Sequence, residues 1–257
     1  MRRLLFPALL AALVAFAPAA PAEPTVITVR VLSHQAKFIG TTMGGARITI
    51  SDAETGEVLA TGVTRGGTGD TEKIMTFGGH RHWSPIADES AASFTAELDL
   101  DRPRLLRVEA RGPLAQRQAE MTASATQWVL PGHHITDGDG FLLVLRGFVV
   151  DVMAPQAHLR LAGTPQEIEV TANVTMMCGC PLSPGGLWNS DDYEIEMRVL
   201  RGGETVATLP MTYLGRHSHF GARYRVEEPG VYEFRVTAWD AASGNVGIDA
   251  TTVIVTP

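Results

Sequence analysis

The chain has 257 residues, 45% of them hydrophobic and 19% charged, which is enough apolar content for one large or two ordinary globular domains. This composition excludes disorder, coiled coil and collagen, and only two cysteines in such a length exclude a disulfide-dense miniature scaffold. The formal net charge is -7, and it becomes -9 (19 basic against 28 acidic residues) if a leader containing Arg2 and Arg3 is removed. We expect no binding to nucleic acid, because the chain is acidic and lacks the Lys/Arg cluster that phosphates require.

The first 22 residues predict a secretory signal peptide. Arg2 and Arg3 precede an apolar run at 4–16, and a small-residue cleavage site follows at 20–22. The apolar run is shorter than the roughly 20 helical residues that cross a bilayer. We therefore expect cleavage after residue 22, no membrane span in the mature chain and a periplasmic location, with secretion from the cell as the alternative.

The next part of the chain, 23–155, is typical of strands. Short stretches of alternating or β-branched residues are divided by Gly, Pro, Asn and Asp. The predicted strands are 26–32, 47–51, 58–63, 93–100, 104–110 and 141–152. Residues 114–125 are the one helix candidate, although their Ala and Gln content also suits an irregular loop. A break at Met153-Ala154-Pro155 would close this first domain.

The remaining 156–257 have the usual size of an immunoglobulin-like sandwich, about 100 residues. The predicted strands here are 167–175, 193–200, 204–212, 219–226, 232–240 and 246–255, with clear turns at 201–203 and 228–230. The sequence thus predicts an all-β protein with two tandem β-sandwich domains after the signal peptide.

Two segments resemble known families. The sequence PGVYEFRVTAWD at 229–240, with SGN at 243–245 and TTVIV at 251–255, resembles the last two strands of bacterial immunoglobulin-like domains. The sequences GARITI at 45–50, TGEVL at 55–59 and TGVT at 61–64 are similar to carboxypeptidase-regulatory-like (transthyretin-like) modules. Both resemblances imply sandwich folds; neither supplies a catalytic residue, and a fold by itself does not define a function.

The stretch with the most chemistry is the loop MMCGCP at 176–181. Thiolate and thioether are soft donors that suit Cu(I) and, secondarily, Zn(II), and Gly179 permits a turn tight enough for both thiolates to reach one ion. Alternating strand directions place the loops 213–218 and 241–245 at the same end of the second sandwich. The predicted metal ligands are Cys178, Cys180, His217, His219 and Met177, with Met211 as a further soft donor.

The sequence leaves open whether the two cysteines bind a metal, form a disulfide or remain as free thiols. Export to an oxidising compartment favours a Cys178–Cys180 disulfide, although so short a loop adds little stability through chain entropy. A labile disulfide would suit a redox role. The remaining alternative is that both cysteines are free thiols.

Other candidate residues carry weaker signals. His80 and His82 could share one ion if their segment is extended, because residues two apart on a strand point to one face. His133 and His134 lie together in another loop, and whether these four histidines form a second site stays open. The DGDG sequence at 137–140 lacks the remaining ligands of a calcium loop and predicts a turn. Trp83, Trp128, Trp188 and Trp239 are expected in core or interdomain packing.

The leading functional hypothesis is an exported, non-enzymatic, copper-handling protein. The alternative is an interaction or structural module with an envelope protein as partner, in which the cysteines form a disulfide. A metalloenzyme ranks third, because Asp191, Asp192 and Asp240 would serve as general bases only if the loops converge.

Overall fold

The structure, a computed structural model, describes residues 22–76 and 84–257. The predicted signal peptide up to residue 21, together with His80, His82 and Trp83, lies outside these ranges. In the described ranges no helix is both long and apolar enough to cross a membrane.

The first sandwich packs a three-stranded sheet against a four-stranded sheet. Its strands are β1 (Glu23–Ser33), β2 (Arg47–Asp52), β3 (Val58–Val63), β4 (Phe94–Leu100), β5 (Arg104–Gly112), β6 (Met121–Val129) and β7 (Phe141–Leu145). The sheet orders are β4-β1-β7 and β3-β2-β5-β6, and β1 runs parallel to β7. Alternate side chains of the central strands, such as Ile48 and Ile50 on β2 and Leu106 and Val108 on β5, are fully buried between the sheets.

The second sandwich follows directly. Its strands are β8 (Phe148–Ala154), β9 (Leu159–Ala162), β10 (Gln166–Met176), β11 (Glu194–Arg201), β12 (Glu204–Pro210), β13 (Thr212–Tyr213), β14 (His219–Val226), β15 (Gly230–Trp239) and β16 (Val246–Thr256). The sheet orders are β13-β14-β10-β8 and β12-β11-β15-β16-β9. All-β architecture with tandem sandwiches is thereby confirmed.

The strand order of the second sandwich is immunoglobulin-like. One sheet matches the A, B, E and D strands of such domains, and the other matches their C, F and G strands. The resembling segment at 229–255 forms the β15–β16 hairpin, paired from Gly230 opposite Val255 to Trp239 opposite Val246. The hydroxyl of Tyr232 donates to the carbonyl of Glu228 at 2.8 Å, as in the tyrosine corner of immunoglobulin-like domains.

The predicted strand 141–152 is wrong as a single element. Gly147 has a φ of 137°, and a Cβ there would lie 2.8 Å from the carbonyl oxygen of Val246. The chain therefore turns between β7 and β8, and β8 pairs with β10. This strand lies in the second sandwich, although the predicted break at 155 assigns it to the first.

The helix candidate 114–125 is also wrong. After a 3-10 turn at Arg117–Ala119, the chain enters strand β6, which pairs with β5 along its whole length. Pairing with a neighbouring strand overrides the weak helical preference of this segment.

The remaining helical elements are short. The helix α1 (Thr71–Met75), which was not predicted, is capped by the side chain of Asp70, and 3-10 turns occur at Thr41–Met43 and Ser190–Asp192.

Candidate functional site at the junction of the two sandwiches

The cysteine loop begins where β10 ends. The amide of Gly179 donates to the carbonyl of Met176 at 2.8 Å, and the amide of Met176 donates to the carbonyl of Cys180 at 3.1 Å. Cys178 and Cys180 form a disulfide, with their Cα atoms 5.4 Å apart. The φ of Gly179 is 80°, a left-handed conformation that favours glycine. The predicted loop is therefore a tight, cross-linked turn.

The side chains of this loop enter the cores of both sandwiches. Met177 is completely buried in the core of the first sandwich. Its neighbour Cys178 and the bonded Cys180 are buried in the core of the second. Met43 of the first core lies against Gly179, since a Cβ built there would be 2.7 Å from its Sδ. The loop thus fastens one core to the other.

The first sandwich also contacts the second sandwich through the turn that follows β1. Gln35 adopts a positive φ of 62°, and Ala36 is buried in the core of the second sandwich. The indole N–H of Trp188, which follows the cysteine loop in the chain, donates to the carbonyl of Gln35 at 3.1 Å. Trp188 is therefore an interdomain residue, as expected.

Asn245 joins three segments at the same junction. It is fully buried, and its Oδ1 accepts from the amide of Gly147 at 3.1 Å and lies 3.1 Å from Nδ1 of His34. Its Nδ2 donates to the carbonyl of His34 at 3.3 Å. One side chain thus ties the connection between the sandwiches to a loop of each.

Two further hydrogen bonds and one apolar contact complete the junction. Nε2 of Gln118 donates to the carbonyl of Val150 at 3.0 Å, and Nη1 of Arg146 donates to the carbonyl of Ser243 at 3.1 Å. Val149 of β8 is buried in the core of the first sandwich.

The loop that carries the predicted histidines lies beside the cysteine loop. The amide of Ser218 donates to the carbonyl of Leu182 at 2.8 Å, and the hydroxyl of Ser218 accepts the Leu182 amide at 3.0 Å. His217 is exposed, and Nδ1 of His219 is 3.0 Å from the carbonyl of His217. The expectation that alternating strands bring the two loops together is correct.

The chemistry predicted for these loops depends on the redox state of the cysteines. Cys178 and Cys180 can ligate a metal only as thiolates, whereas their two sulfur atoms are bonded to each other in the structure. Within 22–76 and 84–257 no group of three or more His, Cys, Asp or Glu side chains is arranged to hold a metal ion. Of the two soft donors, Met177 lies in the first core and Met211 in the second.

The other candidates have structural partners. Nδ1 of His134 accepts the amide of Val26 at 3.0 Å, whereas His133 lies 2.9 Å from the carbonyl of Pro131. The carboxylate of Asp139 accepts the amides of Ile86 and Ala87, so the DGDG segment forms a turn that braces a neighbouring loop.

The expectation of buried tryptophans is wrong for two of them. Trp128 and Trp239 are 57% and 42% exposed, contrary to the expectation of core packing.

Two of the candidate general bases, Asp192 and Asp240, lie near a tyrosine whose pKa is shifted. Burial raises the pKa of Tyr193, and the carboxylates of Asp240 and Asp192 raise it further. The Tyr193 ring packs edge-on against Phe148 with centroids 5.0 Å apart. Asp240 itself accepts the amide of Ala242 and the hydroxyl of Ser243, so it shapes the β15–β16 turn.

The sequence did not indicate that His34, Gln35 and Asn245 make junction contacts, whereas Trp188 was expected in core or interdomain packing. A left-handed Gln35 leaves no trace in composition or periodicity. Gly147, inside the predicted strand 141–152, was the available hint of a break, because a glycine within a strand often marks a bend or the close approach of another backbone.

Comparisons with known proteins do not define a family. No family model matches the chain and no curated protein matches it. The carboxypeptidase-regulatory-like resemblance of the first domain stays a prediction.

Among solved structures, an engineered protein is 21% identical over 47% of this chain, which spans only 22% of that protein, with a TM-score of 0.32. The fibronectin(III)-like modules of Clostridium thermocellum CbhA are 12% identical, with 93% of this chain and 91% of that chain covered and a TM-score of 0.27. The tip fimbrial protein Mfa3 of Porphyromonas gingivalis is 13% identical, with 90% and 81% covered and a TM-score of 0.29. Likenesses at these TM-scores carry no argument, and the immunoglobulin-like description rests on strand order.

Proposed function

We propose that the protein is an exported, non-enzymatic structural and interaction module of the cell envelope. Its two sandwiches are held in one orientation, so that loops and strand edges are presented to a partner in a fixed arrangement. The observation that carries this proposal is the cysteine loop, whose consecutive residues Met177 and Cys178 are buried in different cores.

The contacts explain why such a junction would be rigid. Buried side chains cross it in both directions, from Met177 into the first core and from Ala36 into the second. The polar groups between them are paired through Asn245 and Trp188. These hydrogen bonds favour one geometry, because relative movement of the sandwiches would leave their buried donors without acceptors.

The test uses the full precursor expressed with export to a bacterial periplasm. We expect mature protein that begins at residue 23, has no thiol reactive in denaturant without reductant, and resists proteolysis at 146–147 under native conditions. Cleavage into two stable fragments at that connection would contradict the proposal. Two free thiols in denaturant would contradict the disulfide on which it rests.

Copper binding is the second candidate, and one observation favours it. Nε2 of His219 is buried without a hydrogen-bond partner in the described part of the chain, and its loop is bonded to the cysteine loop. In this candidate, reduction of the disulfide frees Cys178 and Cys180 to bind Cu(I), or alternatively Zn(II), with His217, His219 and Met177 as further ligands.

Metal titration separates the two candidates. Reduced protein would bind one equivalent of Cu(I), and Cys178→Ser with Cys180→Ser would abolish this binding. His158→Ala is the matched control, because that histidine bonds Thr252 away from these loops. Equal copper content in the reduced wild type and the double variant would exclude the metal site.

A further inference from the structure

Strand β6 is an unprotected sheet edge. It is the outermost strand of β3-β2-β5-β6, and its sequence MTASATQWV contains neither a charged residue nor proline. Natural edge strands are usually short or carry charges or proline, which prevent pairing with other chains. With nine residues, β6 is the longest edge strand in the described part of the molecule.

The hydrogen bonding between β5 and β6 determines which main-chain groups of β6 point away from the sheet. The carbonyl of Leu105 accepts the amide of Ala53, so Leu105 is bonded towards the β2 side of β5. Because bonding directions alternate along a strand, the even-numbered residues of β5 bond the odd-numbered residues of β6. The groups that point away from the sheet belong to Thr122, Ser124, Thr126 and Trp128. Within the described residues, no hydrogen bond to them is seen.

The sides of β6 are also open. The sheet opposite has three strands rather than four, so Met121, Ala125 and Gln127 remain exposed although they are on the core-facing side. Trp128, on the other side, is 57% exposed.

The other edge strands of the described structure are all shorter than β6, and β7 and β8 have five and seven residues. Strands β9 and β13 have four and two residues. Strand β12 begins with Glu204 and ends with Pro210, and strand β4 contains Glu97 and Asp99. At β3 the ring of Phe94 occupies the space next to Gly62.

We propose that β6 pairs with β6 of a second copy of this chain, antiparallel about a two-fold axis at Ala125. This inference names a partner for the proposed interaction module and so rests on it. In this register Ser124 faces Thr126 and Thr122 faces Trp128 of the second copy. Each of these pairs consists of residues whose main-chain groups point outward, as the hydrogen-bonded pairs of an antiparallel ladder require. An uncharged strand can meet its own copy without placing like charges opposite each other.

The length of β6 selects this register. Ala125 is the middle residue of Met121–Val129, so an axis there pairs all nine residues with the second copy, whereas an axis at a neighbouring residue leaves an end of the strand unpaired.

A cysteine cross-link tests the register. Across the two-fold axis, Ala125 faces Ala125 in a non-hydrogen-bonded pair, for which Cα atoms lie about 4.5 Å apart, within the range of a disulfide. Ala125→Cys should therefore give nearly complete disulfide dimers under mild oxidation, identified by peptide mapping. Thr61→Cys, exposed on the opposite edge strand β3, is the matched control and should not form disulfide dimers. Equal cross-linking of both variants would overturn the proposal.

Sedimentation tests the pairing without a cross-link. One strand per copy buries less than a standard interface, so we expect a weak dimer that is visible at about 0.2 mM. Ser124→Pro removes an outward amide without disturbing the ladder to β5, and should weaken dimerisation about tenfold or more. A monomeric wild type, or a dimer unaffected by Ser124→Pro, would overturn self-pairing. A monomer that is thiol-free and resists cleavage at 146–147 would still be the proposed module.

Discussion

Replacing Asn245 by alanine probes the polar centre of the junction. The substitution removes the acceptor for the Gly147 amide and the donor to the His34 carbonyl, and it leaves these groups at the junction without that partner. A buried group left unsatisfied costs about 1–3 kcal/mol, and access of water to the His34 side would reduce the sum. We therefore expect the free energy of unfolding to fall by about 3 kcal/mol.

For a chain of this size each kcal/mol lowers the melting temperature by roughly 2–4 °C, so the expected decrease is about 6–12 °C. Urea titration followed by tryptophan fluorescence measures the change, and Trp188 reports directly from the junction. Asn189→Ala is the matched control, because it removes amide hydrogen bonds that stay inside one loop, to Gly185 and Asp191. It should cost about 1 kcal/mol. If Asn245→Ala cost no more than this control, the junction would not depend on Asn245.

Three further changes test separate parts of the account. Met177→Ala should lower the free energy of unfolding by about 2–4 kcal/mol in urea titrations, because Met177 is completely buried. The exposed Met153→Ala is the control and should lower it by less than about 0.5 kcal/mol. Equal effects of the two substitutions would contradict the burial of Met177 in the first core. Gly179→Ala forces a side chain into a left-handed turn against Met43 and should lower the melting temperature; an unchanged value would mean that the turn is not required. Hydrogen bonds from the backbone of Thr55 hold the pKa of Asp52 below its usual value, so Asp52 adds stability above about pH 4 that is lost as the pH falls through its lowered pKa. The stability difference between wild type and Asp52→Asn should therefore disappear in acid, and a difference constant with pH would contradict this assignment.

The parts of the fold predicted correctly are those fixed by local alternation and turn residues. The β15–β16 hairpin is an example: its strands alternate, and Asp240 and Gly244 make the turn that joins them. The run 141–152 could not be divided from sequence, because a continuous apolar stretch does not reveal that its two halves join sheets of different sandwiches. Only the close approach of Val246 to Gly147 explains the break.

The position of the candidate site was predicted from the sequence, but its contacts with the first sandwich were not. Alternation of strand direction correctly brought the cysteine and histidine loops to one end. The partner of that end, however, is the first sandwich, and contacts such as Trp188 with Gln35 join residues more than 150 positions apart. Neither spacing nor composition encodes such a contact, so the sequence alone favoured a metal where the structure places a junction.

In the proposed module, the two sandwiches form one rigid body around the Cys178–Cys180 loop. Residual dipolar couplings of backbone amides in the oxidised mature protein test this rigidity without any substitution. A rigid junction requires that couplings from β1–β7 and from β8–β16 fit a single alignment tensor of one magnitude and orientation. Two tensors of different magnitude would show that the sandwiches move independently, and would contradict it.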